Sequence, residues 1–72
     1  MEHEVIFAKR VQHLRIERGL KQKDLGEEIG LSQKAISTIE NGARTTTIEK
    51  LILLAKFFGV STDYLLGLKD EP

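Results

Sequence analysis

The chain has 72 residues, 40% of them apolar and 31% charged, with eleven basic residues balancing eleven acidic ones and no cysteine. That length predicts one small domain over residues 1–72, and the lack of cysteine excludes a disulfide framework or thiolate metal site, leaving helix packing to supply stability. No apolar run approaches the roughly 18 residues of a membrane span, and the start MEHEVIF has no basic signal-like segment, so a cytoplasmic location without a membrane partner is expected.

Taken in order, the spacing predicts a first helix over about 4–18. Phe7, Val11 and Leu14 recur at intervals of four and three, and Gly19 ends the pattern. His3 and His13 have no second ligand type at metal spacing, so both are read as solvent-facing and no metal is expected. A second helix over about 22–29 carries Leu25 and Ile29 four apart. Asp24 suits its positive end. Gly26, mid-helix, costs about 1 kcal/mol relative to alanine, which predicts a close helix crossing with no room for a side chain.

Gly30 stops that helix, and Leu31-Ser32 starts a third over about 33–40. Ser32 is the expected cap, and Leu31 is expected to staple onto Ile36. This is a helix-turn-helix pattern. Ile36 and Ile39 point inward, while Gln33, Lys34, Ser37 and Thr38 point outward or lie at the margin. Such side chains can read base edges in a major groove, an amide bonding bidentately to adenine and a lysine donating to guanine.

Asn41-Gly42 tolerates a left-handed exit. Thr46 and Glu49 read as a capping box opening a fourth helix over about 47–58, with Ile48, Leu51, Ile52, Leu54, Ala55 and Phe58 as its buried line. Leu53 and Phe57 fall off that line. They either pack under the last helix or form a surface for a second copy or a protein partner. Gly59 closes the helix, Val60 and Ser61 repeat the staple and cap, and a short fifth helix over about 62–67 precedes a polar tail, 68–72, expected to fray. The fold class is all-α, a compact five-helix bundle.

The neutral total argues against a nucleic-acid partner, since many such proteins are basic overall. The distribution is less even. Lys9, Arg10, Arg15, Arg18, Lys21 and Lys23 fall in one stretch with a single acid, Glu17. Lys9, Arg10 and Arg18 are read as general electrostatic attraction or solubility. An enzyme is not expected: no serine–histidine–acid set, glycine-rich phosphate loop or paired carboxylates around a cleft can be found. No cofactor and no small-molecule ligand is expected either.

Over Arg15 to Gly67 the chain resembles the lambda-repressor-like, Cro/C1-type (XRE) helix-turn-helix family. The resemblance rests on Arg15, Gly19-Leu20, Gln22, Leu25-Gly26, Ile29-Gly30, Ser32, Ile36-Ser37, the exit motif IENG and the late GVSTDYLLG. It implies a DNA-binding regulator. It implies base or adjacent backbone contacts for Gln33, Lys34, Ser37 and Thr38, and phosphate contacts for Gln22, Asn41 and Arg44. It also implies a structural ion pair between Arg15 and Glu40. Lys21 stands where a capping residue is usual, and its positive charge is expected to add a further phosphate contact. Thr46 replaces a common proline, and Leu53 and Phe57 are more apolar than usual. The combined reading is a repressor that binds an operator in double-stranded DNA as a homodimer. The alternatives are the DNA-binding antitoxin of a toxin–antitoxin pair, or a protein-interaction adaptor that keeps the fold without binding DNA.

Overall fold

In the computed structural model, which describes residues 2–72, the chain forms five helices: α1 (Glu2–Glu17), α2 (Gln22–Ile29), α3 (Gln33–Glu40), α4 (Ile48–Phe58) and α5 (Thr62–Leu66). All five lie close to the ranges that the apolar spacing predicts. The first starts two residues early and ends one early, the fourth starts one residue late, and the fifth ends one residue early. Helix α3 packs on both α1 and α2, α5 returns against α1, and α4 rests on α2 and α5. Phe7, Val11, Leu25, Ile36, Leu54 and Leu65 are buried at the centre, each worth about 1.5–3 kcal/mol of transfer free energy.

The caps explain most of the boundaries. The Ser32 hydroxyl accepts the Ala35 N–H at 3.0 Å and the Ser61 hydroxyl accepts that of Tyr64 at 3.0 Å. At α2 the cap position is Lys21, whose side chain cannot accept, and Asp24 compensates by taking the Lys21 N–H at 3.0 Å. The entry to α4 differs from expectation. Thr47, not Thr46, is the cap, its hydroxyl accepting the Lys50 N–H at 3.2 Å, and the Thr46–Glu49 box does not form. A run of three threonines offers three equivalent caps by pattern, and packing selects one of them.

The buried line of α4 is also narrower than the sequence predicts. Leu54, Ala55 and Phe58 are buried and Leu51 is half-buried, but Ile48 is 77% exposed and Ile52 42%. At about 100° per residue the inward four span roughly 100°, the width of an ordinary core stripe, and Ile48 and Ile52 lie beyond its edge. Of the two residues expected off the stripe, Phe57 is half-buried against the core and Leu53 is 38% exposed.

Gly26 is required for a reason other than a helix crossing. A Cβ there would sit 2.3 Å from the Leu31 carbonyl oxygen. The obstacle is the turn itself, whose Leu31 N–H bonds back to the Gly26 carbonyl at 2.8 Å. Gly30, at φ 77°, makes the sharp exit that brings this turn onto α2.

Several helix ends are closed by cations from distant parts of the chain. The Lys50 ammonium donates to the Ile29 carbonyl at the end of α2 (3.1 Å). The Arg18 guanidinium donates to the Phe57 and Phe58 carbonyls ending α4 (3.1 and 2.9 Å) and lies over both rings. Arg10 donates to the Tyr64 carbonyl in α5 and stacks 4.2 Å from the Tyr64 ring centre, and His3 Nδ1 lies 2.9 Å from the Leu66 carbonyl oxygen. Positive charge at these carbonyl-rich ends is favourable, by about 0.3–1 kcal/mol at an exposed site. The tail is held rather than frayed. Arg10 donates to the Lys69 carbonyl (2.7 Å) and approaches Asp70 (3.5 Å), and the Ser61 N–H donates to the Pro72 carbonyl (2.9 Å).

Candidate nucleic-acid interface

The outer surface of α2 and α3 is set by a single polar network beneath it. Arg15 on α1 donates from Nε to Glu40 Oε2 (2.6 Å) and from a terminal nitrogen to Glu40 Oε1 (2.9 Å), a bidentate fork. Its remaining terminal nitrogen donates to the Leu20 carbonyl (2.7 Å), just ahead of α2. Gln22 adds its side-chain N–H to Glu40 Oε1 at 3.1 Å. One carboxylate at the end of α3 thus fixes α1, the α1–α2 loop and the first turn of α2. The side chains of Arg15 and Glu40 are 12% and 2% exposed, so this is an ion pair of the nearly buried kind, where removing one partner costs about 3–5 kcal/mol. The hydrogen bond that Arg15 donates to Glu40 raises the Arg15 pKa above its ordinary value, helped by charge attraction and opposed by burial. Its guanidinium therefore stays charged throughout the physiological range.

Above that network, Gln22, Ser32, Gln33, Lys34 and Ser37 line a solvent-open groove of about 550 Å³ at the start of α3. A second groove, of about 750 Å³, runs between α3 and the loop before α4, and Leu31, Lys34, Ala35, Thr38, Ile39 and Arg44 are among the residues that line it. Lys34 borders both. The predicted residues at the start of α3 thus come together with Gln22, and Thr38 and Arg44 share the second groove with Lys34. Lys21 and Asn41 line neither groove. Thr45 and Thr47 also line the second groove; the sequence pattern did not single them out, and their only signal is the hydroxyl run after Arg44.

What each side chain can offer follows from its bonds. Gln33, Lys34, Lys21 and Arg44 are exposed and free to bond outward. Thr38 donates its hydroxyl proton to the Lys34 carbonyl (2.9 Å), leaving a methyl group and acceptor lone pairs. Asn41 accepts the Ala43 N–H on its side-chain oxygen (2.9 Å), which shapes the loop and leaves its NH2 group as a donor. Gln22 is half-buried and uses one amide donor on Glu40, so its outward role is limited to what remains. Arg10 and Arg18, read from the sequence as general attraction or solubility, are instead bound to helix-end carbonyls. With Arg15 and Lys50, four of the eleven basic side chains are committed internally.

A scaffold of five helices with a tight turn between α2 and α3, a polar outer α3 and a carboxylate-pinned base defines a helix-turn-helix protein. The profile of the family described as Helix-turn-helix matches residues 11–65, and the chain belongs to that family, in the Cro/C1-type branch that its motifs resemble. It is 33% identical over 67 residues to the uncharacterized HTH-type transcriptional regulator YobD of Bacillus subtilis, covering 93% of this chain and 60% of that protein. It is 36% identical over 74 residues to the control protein C.SmaI of Serratia marcescens, covering 99% of this chain and 88% of that protein. Among solved structures, the P22 c2 repressor in complex with a synthetic operator superposes with a TM-score of 0.80 at 33% identity, over 83% of this chain and 91% of that one. The chain spans 60% of the length of YobD and half or less of several other curated relatives. Among the described residues, no helix is long and apolar enough to cross a membrane.

Proposed function

We propose that this chain is one domain that binds double-stranded DNA in a sequence-dependent way and regulates transcription, as a repressor that occupies an operator. The observation that carries this reading is the convergence of Gln33, Lys34 and Ser37 with Gln22 on one open groove, over a network that ties α3 to α1 and to the start of α2. In this reading Gln33 bonds an adenine edge and Lys34 a guanine edge, and the Thr38 methyl meets a thymine methyl group. Lys21, Asn41, Arg44 and the remaining Gln22 donor serve the phosphate backbone on either side, Gln22 from the start of α2 where free N–H groups favour an anion. The similarity to a repressor solved on its operator, and to regulators by name, supports the same reading.

One recognition helix reads only a few base pairs. Useful specificity therefore calls for two copies on half-sites about one helical turn apart. With Lys21 and Arg44 as the cations aimed at phosphate, the slope of log K against log salt is expected near −2 per protomer, about 0.9 per contact.

Selection of bound duplexes from a random library, followed by titration of the best sequence against scrambled DNA, tests the reading. An inverted repeat bound at least about a thousandfold more tightly than scrambled DNA supports it. Uniformly weak binding that fades with salt contradicts it. That outcome would favour the second reading, an adaptor that keeps the fold, for which the zero net charge and the four internally committed cations are the supporting observations.

A further inference from the structure

We propose that the exposed face of α4 docks a second copy of this chain, antiparallel, about a two-fold axis passing between Ile52 and Leu53. The proposal deepens the dimeric part of the function above. Its test uses no DNA, so the two can fail separately.

The large apolar residues left exposed are Val5 and Ile16 on α1, Leu68 in the tail, and Ile48, Ile52 and Leu53 on α4. Scattered single residues need no explanation. The three on α4 fall within six positions of one helix: Leu53 is turned away from Leu54, Ala55 and Phe58, and Ile52 and then Ile48 lie nearer the edge of that buried stripe. Phe57, the other residue that the sequence marks for such a surface, is unsuited to it. Its ring packs edge-on against Phe58 at 5.1 Å and lies under the Arg18 guanidinium. The apolar patch is therefore Ile48, Ile52 and Leu53.

Charge on the same face selects the occupant and its direction. Glu49 and Lys56 are both exposed, and neither forms an ion pair among the described residues. They are seven residues apart, two turns, so they lie on one stripe of the helix. Their midpoint falls between Ile52 and Leu53. In an antiparallel pairing about that midpoint, Glu49 of each copy faces Lys56 of the other, twice by symmetry, as an isologous interface requires. Ile52 and Leu53 then meet their own equivalents at the axis. A parallel pairing would set Glu49 against Glu49 and Lys56 against Lys56. The face is thus self-complementary in one orientation only.

A single helix face is smaller than the roughly 800 Å² per partner of a standard interface, so the association is weak and concentration-dependent. Sedimentation equilibrium on the whole chain, from micromolar to millimolar concentration, reads it. The wild type shows a monomer–dimer equilibrium, and Ile52→Glu is monomeric. Glu49→Lys alone and Lys56→Glu alone each weaken self-association about tenfold, through two like-charge contacts per dimer. Mixing these two variants one to one restores association, because both cross-pairs in the mixed dimer again join opposite charges. A small loss of fold stability in Glu49→Lys, which sits in the first turn of α4, cannot mimic that recovery. A wild type that stays monomeric at millimolar concentration overturns the proposal. So does an Ile52→Glu dimer as tight as the wild type, or a mixture no tighter than its components.

Discussion

The outer surface of α3 and the outer surface of α4 are both solvent-facing, yet they are built in opposite ways. On α3 the exposed side chains are Gln33 and Lys34, with Ser37 and Thr38 at the margin, and a nearly buried bidentate ion pair holds the helix from beneath. On α4 the exposed residues include Ile48, Ile52 and Leu53, and among the described residues no ion pair underlies them. The first face is polar and rigidly seated, suited to reading a fixed pattern of donors and acceptors. The second is apolar, with two charges at heptad spacing, suited to burial against another helix.

The largest way to break this contrast is to remove the seat of α3. Arg15→Ala should lower the unfolding free energy by about 3–5 kcal/mol, a large share of the about 4–11 kcal/mol available to a chain of this size. Denaturant titration measures it, and Glu40→Ala should behave similarly. A loss below about 1 kcal/mol would mean that the pair does not hold α3. Next comes Gly26→Ala, which gains about 1 kcal/mol of helix propensity but sets a methyl group against the Leu31 carbonyl. A net loss of about 1–3 kcal/mol is expected in thermal melts, with the turn into α3 displaced and DNA affinity reduced alongside.

Gln33→Ala separates the surface from its support. It should cost about 1–3 kcal/mol of discrimination against the wrong base, in a competition titration, while leaving the melting temperature within the scatter of surface substitutions. Smallest is the cap of α4. Thr47→Ala should cost about 1 kcal/mol, and Thr46→Ala less than about 0.5 kcal/mol. Equal effects would show that the two threonines share the capping role.

Local chemistry was readable in the sequence wherever cause and effect lie within a few residues. Ser32 and Ser61 cap as their positions predict, Gly30 and Gly59 end their helices in the left-handed region, and the motif resemblance pairs Arg15 with Glu40. The roles that escaped depend on residues far apart in the chain. Arg18 meets carbonyls 39 and 40 residues away, and Arg10 one 54 residues away, distances over which helical spacing carries no information. Ile48 and Ile52 escaped for a different reason: an apolar residue at the edge of a stripe looks the same in sequence whether or not something covers it. Gly26 was recognised as a place without room, but its obstacle is a backbone carbonyl in the next turn, which no residue identity encodes.

The central claim is that the start of α3, seated on the Arg15–Glu40 pair, reads bases. The direct measurement is a double-mutant cycle between Gln33→Ala and single base-pair changes across the selected duplex, with affinities taken at one fixed salt concentration. The account predicts coupling of about 1–3 kcal/mol confined to one or two adjacent base pairs. Additive effects at every position would contradict it, since Gln33 would then touch no base.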